Sequence, residues 1–480
     1  MQNVTLKVPS AIPSAAPAVP PRSADELIAR MESVPFSPWH TRARIVMGSA
    51  TFFDAFNALS LAFALPILIR LWHITPRQIG VLISASYVGQ LVGALLFTAL
   101  AERFGRIRSA TAAVAIMSAL GLACAMAGSF PALFACRLLQ GVGVGGEMPV
   151  AAAYISELSR AHGRGRFFLL YELIFPLGLM TTGQVGAWLV PVWGWKAMFL
   201  IGGIPGLAIT VLLARLPESP RWLISKGRLE EAERIVRQIE SSTERRISAG
   251  GTREGALPAA TPSSSFREST TSSDLAPTRW SELLSPLYRR RTLIVWILWA
   301  SAYFVGNSLN NWMASLYNTI YHLTLRESLR AASLTNAVQV VILLVCAFTI
   351  DRIGRRNWTV ASYLLGGALL AALGLLGAHS ALSVIVWATL SYAIIGTANA
   401  VLYLYTPEIY PTRMRAIGTG LATSWLRLAS AVGPAVVGVM VGARGVNSVF
   451  LMFAGVAAVG ALAATRMIET RDRRLEEIAP

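Results

Sequence analysis

Charge is scarce in this chain. Asp, Glu, Lys and Arg make up 14% of its 480 residues, against about 25% in a soluble domain. That excludes an ordinary soluble globular protein. Cysteine is scarcer still: Cys124, Cys136 and Cys346 all fall inside apolar stretches with no paired spacing. They argue against a disulfide framework or a thiolate metal site and read as small packing residues. The five histidines, His40, His73, His162, His322 and His379, lie near predicted loops and form no metal-ligand or triad spacing. No metal, no cofactor and no enzymatic activity are therefore expected. The first 43 residues are Ala/Pro-rich, then charged, and lack an apolar core ahead of a small-residue cleavage site, so no signal peptide is expected. Acids are outnumbered, giving a net charge of +17. The arginines cluster just outside apolar stretches and not on one polar face, which argues against nucleic acid as a partner.

What the chain has in quantity is apolar sequence: 54% of its residues. Twelve stretches reach roughly the 20 residues needed to cross about 30 Å of hydrocarbon. The first six cover 45–69, 79–100, 109–126, 132–155, 169–190 and 197–213. The second six cover 292–316, 333–348, 358–376, 381–404, 418–441 and 448–464. One charged signature closes the second stretch of each set. Glu102-Arg103-Phe104-Gly105-Arg106 and Asp351-Arg352-Ile353-Gly354-Arg355 lie 249 residues apart. This internal duplication predicts an all-α membrane protein with twelve transmembrane helices in two six-helix halves, an architecture of polytopic transporters.

The expected organisation is an N-terminal tail (1–43), a first half (44–216), a central loop (217–291), a second half (292–466) and a C-terminal tail (467–480). A short amphipathic helix is predicted around residues 25–31, read as a solvated tail helix ahead of a membrane-surface contact. Within the central loop, 227–240 has a helical charge pattern and 280–288 predicts a short surface helix. The Ser/Thr/Gly-rich stretch 241–277 is too polar to bury a core and predicts disorder. Arginine counting sets the orientation. Arg103, Arg106, Arg108, Arg160, Arg164, Arg166, Arg352, Arg355, Arg356, Arg413 and Arg415 all follow even-numbered stretches. Both termini and the central loop are therefore expected in the cytoplasm.

Ionisable residues inside apolar spans cost about 2.5–3.5 kcal/mol on insertion scales and are functional suspects. Asp54 lies roughly 14 Å into the first span, near the midplane. Arg427 lies at a similar depth in the eleventh. Arg137 and Glu147 share the fourth span; at ten residues' separation they are about 15 Å apart along the axis and cannot pair. Arg137 needs an acid, and Asp54 is the strong candidate of the first half. Depth leaves a gap of some 8 Å for the long side chain to close. A permanent, purely structural salt bridge is the competing reading. Gly141, Gly143, Gly145 and Gly146 read as close helix packing. Asn307, Asn310 and Asn311 share one face of the seventh span. They point to a polar cavity, with interhelical hydrogen bonding as the alternative. Asn57, Gln184, Asn336, Gln339 and Asn399 are weaker cases of the same kind. Trp312, Trp387 and Trp425 read as packing.

These residues resemble the major facilitator superfamily over nearly the whole chain after residue 43. The paired acid-Arg-x-Gly-Arg turns are similar to its signature loop, although Thr98 and Ala347 stand where a glycine is usual. Three runs resemble the branch holding sugar porters, organic-ion transporters and synaptic vesicle protein 2 relatives. They are Pro217-Glu218-Ser219-Pro220-Arg221-Trp222, Tyr405-Thr406-Pro407-Glu408-Ile409-Tyr410-Pro411-Thr412, and Arg137 through Glu147. The entry Pro35-Phe36-Ser37-Pro38-Trp39-His40, followed by Phe53-Asp54, resembles bacterial aromatic-acid and nicotinate carriers. Their pattern often has a second acid three residues after the first; here Asn57 stands there.

The resemblance implies that Asp54 and Arg137 couple protons to transport and that Arg427 contacts a substrate carboxylate. Asn307, Asn310, Asn311 and Asn57 complete the expected substrate site. It implies a cytoplasmic gate network of Glu102, Arg103, Glu157, Arg166, Glu218, Asp351, Arg352, Glu408 and Arg415, which latches the halves when the carrier opens outward. The expected function is proton-coupled symport of a small organic monocarboxylate, aromatic or nicotinate-like, by alternating access. The expected partners are the substrate, protons and the lipid bilayer, with a monomer as the working unit. The expected location is a bacterial inner membrane. A sugar or polyol symporter, an organic-cation or drug exporter, and a membrane sensor are the alternatives.

Overall fold

The computed structural model describes residues 23–34, 37–158, 173–248, 280–376, 380–411 and 414–471. Fifteen α-helices form among them. The first half holds α2 (Pro38–Trp72), α3 (Pro76–Phe104), α4 (Arg106–Met126), α5 (Phe130–Leu158), α6 (Ile174–Trp193) and α7 (Lys196–Leu213). The second holds α10 (Arg289–Thr319), α11 (Leu325–Ile353), α12 (Arg355–Leu376), α13 (Ala381–Glu408), α14 (Arg415–Arg444) and α15 (Val446–Ala464). Ten of these twelve are long and apolar enough to cross a membrane by length and composition; α5 and α6 complete the two sets of six.

Local chemistry sets the helix ends. Pro38 and Pro76 occupy the first turns of α2 and α3, where a missing N–H costs nothing. Thr75 and Gln78 cap α3 reciprocally, and Thr324 and Glu327 do the same for α11. Because α2 starts at Ser37-Pro38, it takes in residues expected in the N-terminal tail. The two signature turns contain no loop at all. Gly105 (φ 110°) and Gly354 (φ 90°) each end one helix and begin the next. A side chain at Gly105 would also meet the Glu218 carboxylate. Gly105→Ala is thus expected to cost about 1–3 kcal/mol, seen as earlier thermal unfolding of purified protein in detergent. An unchanged transition would mean the turn relaxes freely.

The glycines of α5 do the packing expected of them. Gly141 and Gly145 meet the α3 backbone at Ser86 and Gln90, and Gly143 meets α4 at Ala113 and Met117. Between the halves, Gly80 of α3 lies against Pro434 and Ala435 of α14, and the Ser84 hydroxyl donates to the Ala431 carbonyl at 2.5 Å. Arg70 of α2 bonds Asn318 of α10 at 3.0 Å, and Gly183 of α6 faces Ser333 of α11. Except for Gly183, halfway along α6, these residues lie toward the membrane side opposite the chain termini.

The remaining helices gather on the terminal side. These are α1 (Ala24–Ser33), α8 (Pro220–Ser225) and α9 (Leu229–Ser248). α1 is not the solvated helix expected. Leu27 is fully buried with Trp222, Leu223 and Ala232, and Arg30 forks onto Glu240 at 2.8 and 2.5 Å. Burying a leucine contributes about 1.5–3 kcal/mol, against about 0–1 for a partly exposed ion pair. The apolar contact therefore holds α1 down and the arginine fixes its register. α9 runs through Ser248, eight residues into the stretch expected to be disordered, because its charge pattern continues; 249–279 lies outside the described residues. A 3₁₀ helix at Trp280–Leu284 stands within the predicted surface helix.

Candidate functional site

Two charged side chains from opposite halves come within electrostatic range of each other at mid-height. Asp54 on α2 is 3% exposed and Arg427 on α14 is 8% exposed. Asp54 lies within electrostatic range of both Arg427 and Glu147 of α5. Its Oδ1 has no hydrogen-bond partner, nor has Arg427 Nε. Arg427 bonds its own helix at the Thr423 carbonyl, 3.3 Å away, and faces Tyr303 and Tyr403. Trp299 braces both rings: it stacks on Tyr303 at 5.7 Å, meets Tyr403 edge-on at 4.6 Å and donates from its indole to Thr406 at 3.0 Å.

The expected Asp54–Arg137 pair is not formed in this structure. Arg137 Nη1 donates to the Asn57 carbonyl at 3.1 Å and to Gln140 Oε1 at 2.7 Å. Those acceptors lie one turn beyond Asp54, toward the opposite side, so the depth gap is not closed and neutral dipoles satisfy the guanidinium. Asn57 is likewise committed. Its amide donates to Phe53 and Gly202 carbonyls and its Oδ1 accepts from Gln140 at 3.0 Å, all with no exposure. It ties α2, α5 and α7 together, a packing role alongside the substrate contact expected of it.

The three asparagines of α10 lie on one face of the helix and reach three different neighbours. Asn307 bonds Ser430 of α14 at 2.6 Å, Asn310 accepts from Asn336 of α11 at 3.2 Å, and Asn311 donates to the Tyr87 hydroxyl of α3 at 3.0 Å. The last bond crosses between halves. Further buried polar atoms without partners are Gln90 Nε2, Asn336 Oδ1, Gln339 Oε1 and Asn399 Oδ1. Native interiors seldom leave such atoms unpaired unless something else binds them. Tyr87, Gln90, Tyr303 and Tyr403 were not picked out by sequence reasoning. For Tyr87 and Gln90 a signal existed, since they are polar residues three apart in an apolar span. For the other two no signal stands out. Trp312 packs as expected, with its indole on the Pro434 carbonyl at 3.3 Å.

On the terminal side each half builds the same charged cluster. Arg106 bonds Glu157 at 2.9 and 3.0 Å and Glu102 at 2.9 Å. Glu218 accepts from the Arg106 and Ile107 backbone N–H groups at 2.8 and 3.2 Å, an anion on the N-terminus of α4. In the second half Arg355 bonds Asp351 at 3.0 Å and approaches Glu408 at 3.9 Å, while Glu469 takes the Arg355 and Arg356 N–H groups at 3.0 Å each. Tyr154 donates to the Pro217 carbonyl, and its counterpart Tyr405 accepts from the Ile468 N–H. The hub of each cluster is thus the second arginine of the signature and not the first. Arg103 and Arg352 point outward and are exposed. None of these ion pairs crosses between halves. Arg166 and the side chain of Arg415 lie outside the described residues. Glu469, expected in a tail, is a working part of the fold.

Comparison with known proteins places these features in context. The family described as "Sugar (and other) transporter" matches residues 47–480. The chain is 31% identical over 471 residues to the niacin transporter NiaP of Acinetobacter baylyi, covering 94% of this chain and 99% of that one. It is 31% identical over 382 residues to a gallate transporter of Pseudomonas putida, covering 78% of each. Among solved structures, the xylose transporter XylE of E. coli in a partially occluded inward-open conformation superimposes with a TM-score of 0.70 at 18% identity, covering 91% of this chain and 100% of that one.

Proposed function

The chain belongs to the sugar (and other) transporter family of the major facilitator superfamily, and from that premise we propose that it carries a small aromatic or heteroaromatic monocarboxylate together with a proton. It is a multi-pass membrane transporter and not an enzyme. The observation that carries the substrate class is Arg427. It is a buried cation in the second half that makes no ion pair within 4 Å among the described residues, its guanidinium donating to the Thr423 carbonyl of its own helix. A guanidinium held in a dry interior favours a carboxylate, which it grips with two parallel donors. Tyr303, Tyr403 and Trp299 beside it offer ring faces to a flat substrate. Asp54 opposite supplies the protonatable group: with it neutral, one substrate carboxylate balances Arg427.

The orientation follows from the arginine-rich loops: the terminal side is cytoplasmic. The contacts named between halves lie at mid-height or toward the other side, and each terminal-side cluster is satisfied within its own half, which supports a conformation open to the cytoplasm. In the outward-open state the exposed Arg103 and Arg352 become available to latch the halves.

The free amide oxygens of Asn336, Gln339 and Asn399 would also suit the hydroxyls of a sugar, so a sugar symporter is the second reading. Uptake of labelled aromatic acids and sugars into proteoliposomes, with and without a pH gradient, separates the two. Saturable, gradient-stimulated uptake of acids with no sugar uptake is expected. Sugar uptake that excess benzoate leaves untouched would reverse the assignment.

A further inference from the structure

Away from Asp54 and Arg427, a cavity of about 320 Å³ opens on the terminal side of the first half. Trp39 and Arg42 near the start of α2, Arg215 to Pro217 just past α7, and Gln238 of α9 line it. Among the described residues, no acid does. The side chains bring two guanidinium groups, an indole N–H and an amide, so donors dominate.

Neither Arg42 nor Arg215 makes an ion pair among the described residues. The acids of α9 on either side of Gln238 are engaged elsewhere. Glu240 holds Arg30 at 2.5 Å, and Glu233 holds Arg237 at 2.8 Å. Two guanidinium groups on one cavity repel each other unless an anion sits between them.

The membrane-facing surface beside the cavity is apolar. Three residues inward from Arg42, on the same face of α2, Ile45 is 62% exposed. Three and four residues inward from Arg215, Leu212 and Val211 are 46% and 54% exposed. The Arg215 N–H bonds the Leu212 carbonyl at 3.2 Å, so a helical turn continues to the arginine. Cationic donors with an apolar strip directly inward match the division of a phospholipid into headgroup and acyl chains. Trp39 stands at the boundary, where indole rings anchor spanning helices. A soluble anion would use the donors and leave the strip without a part.

We propose that this cavity binds the phosphate headgroup of an anionic phospholipid between Arg42 and Arg215, with its acyl chains along Ile45, Leu212 and Val211. Guanidinium forks match phosphate oxygens with paired donors. The headgroup would also join the surface helices to the spanning ones. Gln238 belongs to α9, and the Pro217 carbonyl accepts from Tyr154 of α5 immediately before the capping Glu218.

Full-length wild type, Arg42→Gln/Arg215→Gln and Arg289→Gln/Arg290→Gln are titrated in nonionic detergent with dioctanoyl phosphatidylglycerol, dioctanoyl phosphatidylcholine and glycerol phosphate. Binding is read from the shift of thermal unfolding. Both variants remove two exposed arginines from the terminal side. An arginine beside an anionic surface is worth about fivefold in binding. Arg42→Gln/Arg215→Gln is therefore expected to weaken phosphatidylglycerol binding roughly 20- to 30-fold. Arg289→Gln/Arg290→Gln should lose less than about threefold, as a screened surface charge does. Phosphatidylcholine should bind weakly and alike in all three. Amide exchange along α9 should slow when phosphatidylglycerol binds wild type, and not in Arg42→Gln/Arg215→Gln. Equal losses in the two variants would mean a diffuse surface attraction, and the site falls. Glycerol phosphate binding as tightly as the lipid would make this a soluble-anion site and end the lipid assignment. Lipid binding that leaves α9 exchange unchanged would overturn the joining of α9 to the spanning helices.

Discussion

Arg427→Ala is expected to weaken binding of the preferred aromatic acid by roughly 10- to 100-fold, the equivalent of about 1.5–3 kcal/mol for a hydrogen bond to a charged group. The neutral amide of the same acid should bind wild type poorly and lose less than about threefold in the variant. The selectivity matters more than the size of the loss. Arg427 is buried, donates among the described residues to its own helix at Thr423, and lies within electrostatic range of Asp54. If its task were to neutralise Asp54, removing it would unsettle both halves and lower acid and amide binding alike. Equal losses would therefore assign it a structural role. Arg427→Lys should fall between wild type and alanine, because an ammonium is a point charge without the paired donors of the guanidinium.

Asp54→Asn is expected to abolish accumulation. With a pH gradient imposed, the wild type should concentrate substrate, and the variant should stop at equal concentrations on both sides while counterflow persists in part. An amide keeps the shape and polarity of the carboxyl but binds no proton, so the gradient loses its grip on the conformational equilibrium. Steady-state ratios of internal to external substrate decide the matter. A variant that still accumulates substrate in response to external acid would remove Asp54 from the coupling scheme.

The sequence signals that proved reliable were those of spacing and polarity. The repeated signature turn announced two halves, and Asp54, Arg137, Glu147 and Arg427 stood out as charges in apolar spans. Which groups face one another was not legible. Depth along a helix is a one-dimensional quantity, and Arg137 found neutral partners one turn beyond the acid expected for it. The signature arginines show the same limit. Gly105 and Gly354 reverse the backbone so abruptly that the second arginine of each motif begins a new helix and turns inward, while the first stays outside. Spacing alone does not report that rotation. Glu469 was hidden for a simpler reason: Ile468-Glu469-Thr470 lacks the prolines and serines that make its counterpart around Glu218 conspicuous. The docking of α1 depended on Leu27 finding Trp222, nearly 200 residues away, which no local pattern encodes.

The two capping carboxylates have a consequence for the integrity of the chain. Glu218 and Glu469 come from the segments that follow the sixth helix of each half, and each returns to seat the third helix of that same half. Each half thus closes upon itself, the first also carrying α1 and α9 and the second anchoring its own entry through Leu283 and Thr292. A polypeptide nicked between residues 249 and 279 severs none of these closures. Two fragments made separately in one cell are expected to pair into a working carrier, whereas a chain ending before Glu469 leaves α12 unseated.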